Sequence, residues 1–293
     1  MEIQRDVITS APVDAATLLM LRDSKFEPGI EVFMIRRHVK SSVLGGVYVF
    51  PGGKVDPKDT SSEFSGLLDL DGDRLKRSLN EFDLSESQAR AIFIAAIRET
   101  FEECGVLFAN NTLNSDLVLQ PLQESLNLWD ILEKHKLRLN TQALVPFSRW
   151  ITPQMSSVMN KRFDTRFFLA KNPDLQVAKH DNYEASDSAW MSPRVAPQKY
   201  WANEIEMAPP QIMSLVNLSG YDCVDDALLA ASSKAPALIK PEPFDLDGVR
   251  HITYPGHPKH SQRETVMKGP RMLRFVNQRF EPLGGYEEFF VND

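Results

Sequence analysis

The stretch Arg98-Glu99-Thr100-Phe101-Glu102-Glu103-Cys104-Gly105-Val106 sets three acidic side chains at the end of a helical pattern, and it constrains the chain more than any other segment. Ala89, Ile92, Phe93, Ala96, Ile97, Thr100 and Cys104 recur at i, i+3, i+4 and i+7, so one face of a long helix belongs to a core. Ser85 or Ser87 stands where an N-cap is expected. Gly105 occupies the position of a helix-stopping glycine. At about 100° per residue, Glu99, Glu102 and Glu103 fall within an arc of about 100° beside the apolar face. Three like charges on one strip repel each other. They become useful around a hard divalent cation, since Mg²⁺ or Mn²⁺ takes carboxylate oxygens and keeps several waters. Such a cation can bridge phosphate oxygens and activate a water for attack on phosphorus. Arg98 reaches Glu102 at i, i+4 and can hold that carboxylate in place.

Composition narrows the setting. The 293 residues, 42% hydrophobic, suffice for a large core without disulfides or structural metals. With 33 Lys+Arg against 40 Asp+Glu the net charge is −7, a poor match for the phosphate backbone of nucleic acid but compatible with a small phosphate ligand. Cys104 and Cys223 cannot form a disulfide framework, so a reducing, cytoplasmic setting is expected. No window approaches 18 uninterrupted apolar residues, so no membrane span is expected.

Along the chain, residues 15–21 and 30–36 read as a hairpin of strands around a Pro-Gly turn. A short apolar run from Gly46 ends at Phe50-Pro51-Gly52-Gly53, read as a glycine turn that lets backbone approach a ligand. A polar stretch over 54–87 carries a short helix near 71–80. Further helices are expected near 122–135 and 210–218, and strands near 143–150, 162–169 and 188–191. Residues 232–247, rich in Ser and Pro, read as a linker before a β-like C-terminal segment.

Taken together these residues resemble the Nudix hydrolase family, whose box is GX5EX7REUXEEXGU with U a bulky aliphatic residue. Arg98, Glu99, Glu102, Glu103, Gly105 and Val106 match its second half, Gly53 is its opening glycine, and Thr100 replaces an aliphatic residue. The arginine comes 14 positions after the glycine in the family and 45 positions after it here, from 53 to 98, so about 31 residues are inserted. Counted back from Arg98, the first glutamate of the box falls on Arg90 and is not satisfied; Glu86 is a weaker substitute. Glu184 lies six residues before Trp190, the spacing of an additional metal-binding or basic glutamate in some members. Residues 146–153 and 162–170 resemble the branch that contains the peroxisomal coenzyme A diphosphatases. In its CoA-directed signature Arg36, Gly46 and Phe50-Pro51-Gly52-Gly53 fit, whereas Ser42 replaces the second arginine, Arg37 a serine and His38 an alanine. A basic cluster of Arg36, Arg37, His38 and Lys40 remains for a phosphate.

The resemblance implies an α/β Nudix fold, a mixed β-sheet sandwiched between helices, with a long insertion inside the box and a C-terminal extension. The Nudix hydrolase domain is expected over 8–231 with the insertion at about 54–87, and 232–293 as a linker and extension packed on the same domain. It implies Mg²⁺ or Mn²⁺ held by the Gly52 carbonyl, Glu99, Glu102, Glu103 and Glu184. The catalytic set would be Arg98, Glu99, Glu102, Glu103 and Glu184, and the substrate-binding set Arg36, Arg37, Gly53 and Lys54. The implied reaction is cleavage of CoA or acyl-CoA to 3′,5′-ADP and (acyl-)phosphopantetheine. The alternatives are hydrolysis of ADP-ribose, NADH or a nucleotide sugar, or a non-catalytic metabolite-binding protein. The expected partner is a small-molecule diphosphate, with neither nucleic acid nor membrane, and a homodimer is left open.

Overall fold

The computed structural model describes residues 6–25, 28–41, 44–110, 128–157, 161–181 and 183–291. Its centre is β1 (Val13–Asp23), an eleven-residue strand with apolar side chains on both faces. Strands buried on both faces read as near-continuous apolar runs. Along one edge β1 pairs in parallel with β6 (Phe163–Lys171) over nine residues. The other edge is shared. β2 (Ile30–Arg37) pairs with β1 only at Leu21–Asp23 and then splays away to meet β3 (Tyr48–Val49) and β7 (Ala185–Met191). The vacated edge at Ala15–Thr17 is taken by β4 (Gly52–Lys54). The expected glycine turn is therefore a short strand: Pro51 accepts a hydrogen bond from the Leu18 amide, and the glycines continue the ladder. β5 (Val145–Ile151) pairs antiparallel with β6 and in parallel with β8 (Ala237–Ile239), completing a mixed sheet.

Six α-helices among the described residues frame this sheet and its insertion. In the insertion, α1 (Gly72–Leu79) starts at Asp71, whose side chain accepts from the Arg74 amide. The long helix α2 (Glu86–Cys104) is opened by a capping box between Ser85 and Gln88 and closed by Gly105 in the left-handed region, φ 65°. Its Ile92, Phe93, Ala96, Ile97 and Phe101 pack with Leu18, Met20, Phe33 and Phe168 on one face of the sheet. Of the helix expected near 122–135, α3 (Leu128–His135) is described, and 122–127 lie outside the described residues. The opposite face is covered by α4 (Val195–Trp201), α5 (Pro209–Leu218) and α6 (Val224–Ser232), with Ile212, Met213 and Leu215 fully buried. Of these, α4 and α6 carried no clear sequence signal.

The segment read as a linker is structured. Residues 232–247 hold the end of α6, then β8, then β9 (Glu242–Leu246), an edge strand of a second, antiparallel sheet with β10 (Val249–Thr253), β11 (Met272–Val276) and β12 (Arg279–Glu281). Pro243 misled the reading, because a proline lacking an N–H is tolerated on an edge strand. Ile252, Tyr254, Leu273 and Phe280 of this extension join the same buried cluster as β1 and α5. Among the described residues no helix is long and apolar enough to cross a membrane.

An ion network docks the insertion onto the sheet. Glu81, which follows α1, accepts from Arg166 Nε at 2.9 Å and Nη2 at 2.6 Å and pairs with Arg149 Nη1 at 2.8 Å. Arg149 grips Asp164 with two further bonds, and Arg166 also meets Asp14. Removing one partner of a buried pair strands the other charge. Glu81→Ala is therefore expected to lower stability by about 3 kcal/mol, read as a shift of the urea midpoint with unchanged slope.

Candidate active site

Helix α2 ends in an electrostatic problem. Glu99, Glu102 and Glu103 sit in its last turn and a half, where the helix dipole is negative, and no basic residue occupies the last turn. The structure meets part of the problem with Arg98. Its Nη1 donates to Glu99 at 2.8 Å and to Glu102 at 3.0 Å, and its Nη2 donates to the Lys54 carbonyl at 3.0 Å. Burial works against the Arg98 charge, but Asp59, Glu99 and Glu102 outweigh it and push its pKa up.

Asp59 was missed in the sequence, and it completes the motif. It is 1% exposed and takes a two-pronged grip from Arg98, Nε to Oδ1 and Nη2 to Oδ2, both 3.0 Å. Its position is Gly53 plus six, which is where the box places its first acid when counted forward from the glycine. Counting backward from Arg98 led instead to Arg90, which pairs with Glu86 one turn away on α2. Eight residues of helix, about 12 Å of rise, separate Arg90 from Arg98. Neither Arg90 nor Glu86 takes the first-acid role. The acid is an aspartate ahead of the inserted segment, and the insertion falls between it and the arginine. A local signal existed: Asp56-Pro57-Lys58-Asp59 reads as a capping box, and Asp59 does cap, accepting from the Asp56 amide.

Glu103 turns the other way. It is 3% exposed, accepts the Gly52 amide at 2.9 Å and lies 3.9 Å from Arg37 Nη1. Burial first, then the charges of Glu99 and Glu184, push its carboxyl up to about 8 against the pull of Gly52 and Arg37. Glu99 and Glu102 are also raised, again by burial first and by neighbouring carboxylates. Gly53 makes room for this cluster, because a Cβ there would fall 2.4–2.6 Å from the Glu99 carboxylate. Glu184 precedes β7 and is exposed; its neighbour Asp181 accepts the Glu184 amide, and the Glu184 carbonyl accepts from the His38 amide.

These groups open onto a cleft of about 470 Å³, lined at one end by Arg37, Gly52, Gly53, Lys54, Glu99, Glu103 and Glu184. Of the substrate-binding residues expected from sequence, Arg37, Gly53 and Lys54 line it. Arg36 does not: successive residues of a strand face opposite sides, and its Nε donates to the Gly46 carbonyl instead. Glu102, half-exposed on Arg98, stands beside the cleft rather than among its lining residues. Ser42 lies outside the described residues.

The donor set suits a hard cation in kind: carboxylate oxygens that repel one another, raised in pKa, at the negative end of a helix dipole. Among the described residues no three acidic, histidine or cysteine side chains form a ready-made cage. A cation that keeps several waters needs no such cage.

A family profile described as the NUDT19 Nudix domain matches residues 80–218. The chain is 29% identical over 233 residues to the acyl-coenzyme A diphosphatase NUDT19 of Xenopus laevis, covering 67% of this chain and 61% of that protein. To the human protein of that name it is 25% identical over 236 residues, covering 68% and 63%. It thus spans little more than three fifths of the length of these relatives. A Nudix hydrolase structure from Alicyclobacillus acidocaldarius superposes with a TM-score of 0.60 at 25% identity, covering 78% of this chain and 98% of that one. With the fold, the box and its displaced aspartate in place, the chain is similar to the Nudix hydrolases. Among Nudix proteins it is similar to the NUDT19 group.

Two outcomes test this site. Asp59→Asn should cost about 3 kcal/mol of stability by leaving Arg98 short of a buried counter-charge, measured by urea unfolding. The raised Glu103 carboxyl is protonated in the metal-free fold and ionised in the unfolded chain between about pH 4.5 and 8, so this group's stabilising contribution falls as pH rises through 8. Mg²⁺, which requires the ionised form, should therefore raise the melting temperature more at pH 8.5 than at pH 6, with proton release on binding seen by calorimetry in two buffers.

Proposed function

We propose that this protein is a Mg²⁺- or Mn²⁺-dependent diphosphatase that cleaves CoA or acyl-CoA to 3′,5′-ADP and (acyl-)phosphopantetheine. The observation that carries the reading is the pair Glu99 and Glu102 on one Asp59-anchored arginine with Glu103 beside them, Glu99 and Glu103 lining a cleft large enough for a cofactor-sized ligand. The names of the relatives, acyl-coenzyme A diphosphatases at 25–29% identity, support the substrate. In this reading Glu99, Glu102, Glu103 and the Gly52 carbonyl hold the cation, and Glu184 is a further ligand or the base. A divalent ion in such a site neutralises diphosphate oxygens and lowers the pKa of a bound water. Arg98 keeps Glu99 and Glu102 in position, Gly53 leaves the Glu99 carboxylate its space, and Arg37 and Lys54 supply the positive charge in the cleft lining. The partner is a small diphosphate and the expected setting cytoplasmic; a homodimer is a matter for sedimentation.

A second reading, hydrolysis of ADP-ribose, NADH or a nucleotide sugar, is favoured by one observation: Arg36 is turned away from the cleft, which leaves two cationic side chains among the described residues lining it. A substrate panel separates the two, since CoA cleavage releases 3′,5′-ADP and the others release AMP or its analogue. Glu102→Gln should keep the fold and lower turnover by two or more orders of magnitude. Near-normal hydrolysis in that variant, or retained ligand binding with no metal-dependent turnover in the parent, would refute the diphosphatase reading.

A further inference from the structure

The cleft has two unlike halves. Among the described residues the five charged side chains that line it, Arg37, Lys54, Glu99, Glu103 and Glu184, belong to the glutamate end. From there an aromatic wall leads away. Phe50, just before the glycines, meets Phe167 at 6.4 Å between ring centroids, Phe167 meets Trp150 at 6.3 Å, and Trp150 meets Tyr254 at 6.1 Å. The wall thus runs from the catalytic glycines to the C-terminal sheet, where Ile252 and Pro241 extend the lining. At the start of α5, Gln211 lines the same half; it is 8% exposed, and among the described residues its Oε1 accepts no hydrogen bond. The Tyr254 hydroxyl is likewise buried without a partner among the described residues.

Among the described lining residues a charged nucleotide meets no counter-charge in the neutral half, and desolvating it there would be costly. An uncharged, flexible arm carrying an N–H donor matches both the wall and the orphaned acceptor. We propose that the neutral half of the cleft, with Gln211 as its polar reader, receives the amide-bearing arm of the substrate, while the nucleotide stays at the Arg37 and Lys54 end. The C-terminal extension is then part of the specificity site. This rests on the diphosphatase reading for the placing of the diphosphate, but the arm can be tested without it.

Two measurements keep the ideas apart. Gln211→Leu removes an orphaned acceptor at similar volume, so its melting temperature should hold or rise. The ratio of kcat/KM for CoA to that for ADP-ribose should fall at least ten-fold. Separately, pantetheine alone, without nucleotide or diphosphate, should quench tryptophan fluorescence in the parent; the quench should weaken in Gln211→Leu and be lost in Trp150→Phe. Pantetheine binding without any hydrolysis would support the arm site and remove the diphosphatase reading. Metal-dependent hydrolysis with an unchanged CoA to ADP-ribose ratio, or no quench by millimolar pantetheine in the parent, would overturn the arm site and leave that reading standing.

Discussion

Arg98 reaches Glu99 and Glu102 with one nitrogen and Asp59 with two, and most of what is distinctive here follows from that arrangement. A helix that ends in three carboxylates is unfavourable twice, through their mutual repulsion and through the dipole. The guanidinium offsets part of this. It is itself largely buried, so it needs a counter-charge from behind, and Asp59 provides it from the short helical turn just ahead of the insertion. The insertion is fastened at its other end by Glu81, which holds Arg166 and Arg149 on the far strands of the sheet. A segment that interrupts a catalytic motif in sequence thus braces it in space.

The parts of this arrangement that were legible in the sequence are those set by local rules. The boundaries of α2 follow from a capping box and a terminal glycine, and its buried face from spacing alone. Thr100, out of place in the family pattern, is accommodated locally too, since its hydroxyl donates to the Ala96 carbonyl one turn back. What depended on distant partners was misread. Gly52 and Gly53 look like a turn until β2 is seen to leave the edge of β1 open for them. The proline-rich 232–247 looks like a linker because its strands are short and lie at sheet edges. Asp59 was obscured by the direction of counting: the insertion breaks the spacing to Arg98 and leaves the spacing to Gly53 intact.

The two halves of the cleft come from different parts of the chain. The charged end is built by β2, β4, α2 and the turn before β7. The neutral end needs β5, β6, the start of α5 and the C-terminal sheet, which shares a buried cluster with the central strand. Truncating the extension would thus expose core as well as open the site.

The parallel pairing of β1 with β6 bears on how the molecule is made. Val13 lies opposite Phe163, and Leu21 opposite Lys171, so about 150 residues separate the partners along the chain. Closing so long a loop comes late in folding, and sheets of this kind assemble slowly. During synthesis Leu18-Leu19-Met20-Leu21 leaves the ribosome well before the strand that will cover its edge. At usual elongation rates of about 5–20 residues per second, that edge stays open for roughly ten seconds or more. A chaperone that shields apolar strands has its opportunity in that interval. A chain halted anywhere between residues 24 and 162 would leave that apolar edge without its parallel partner.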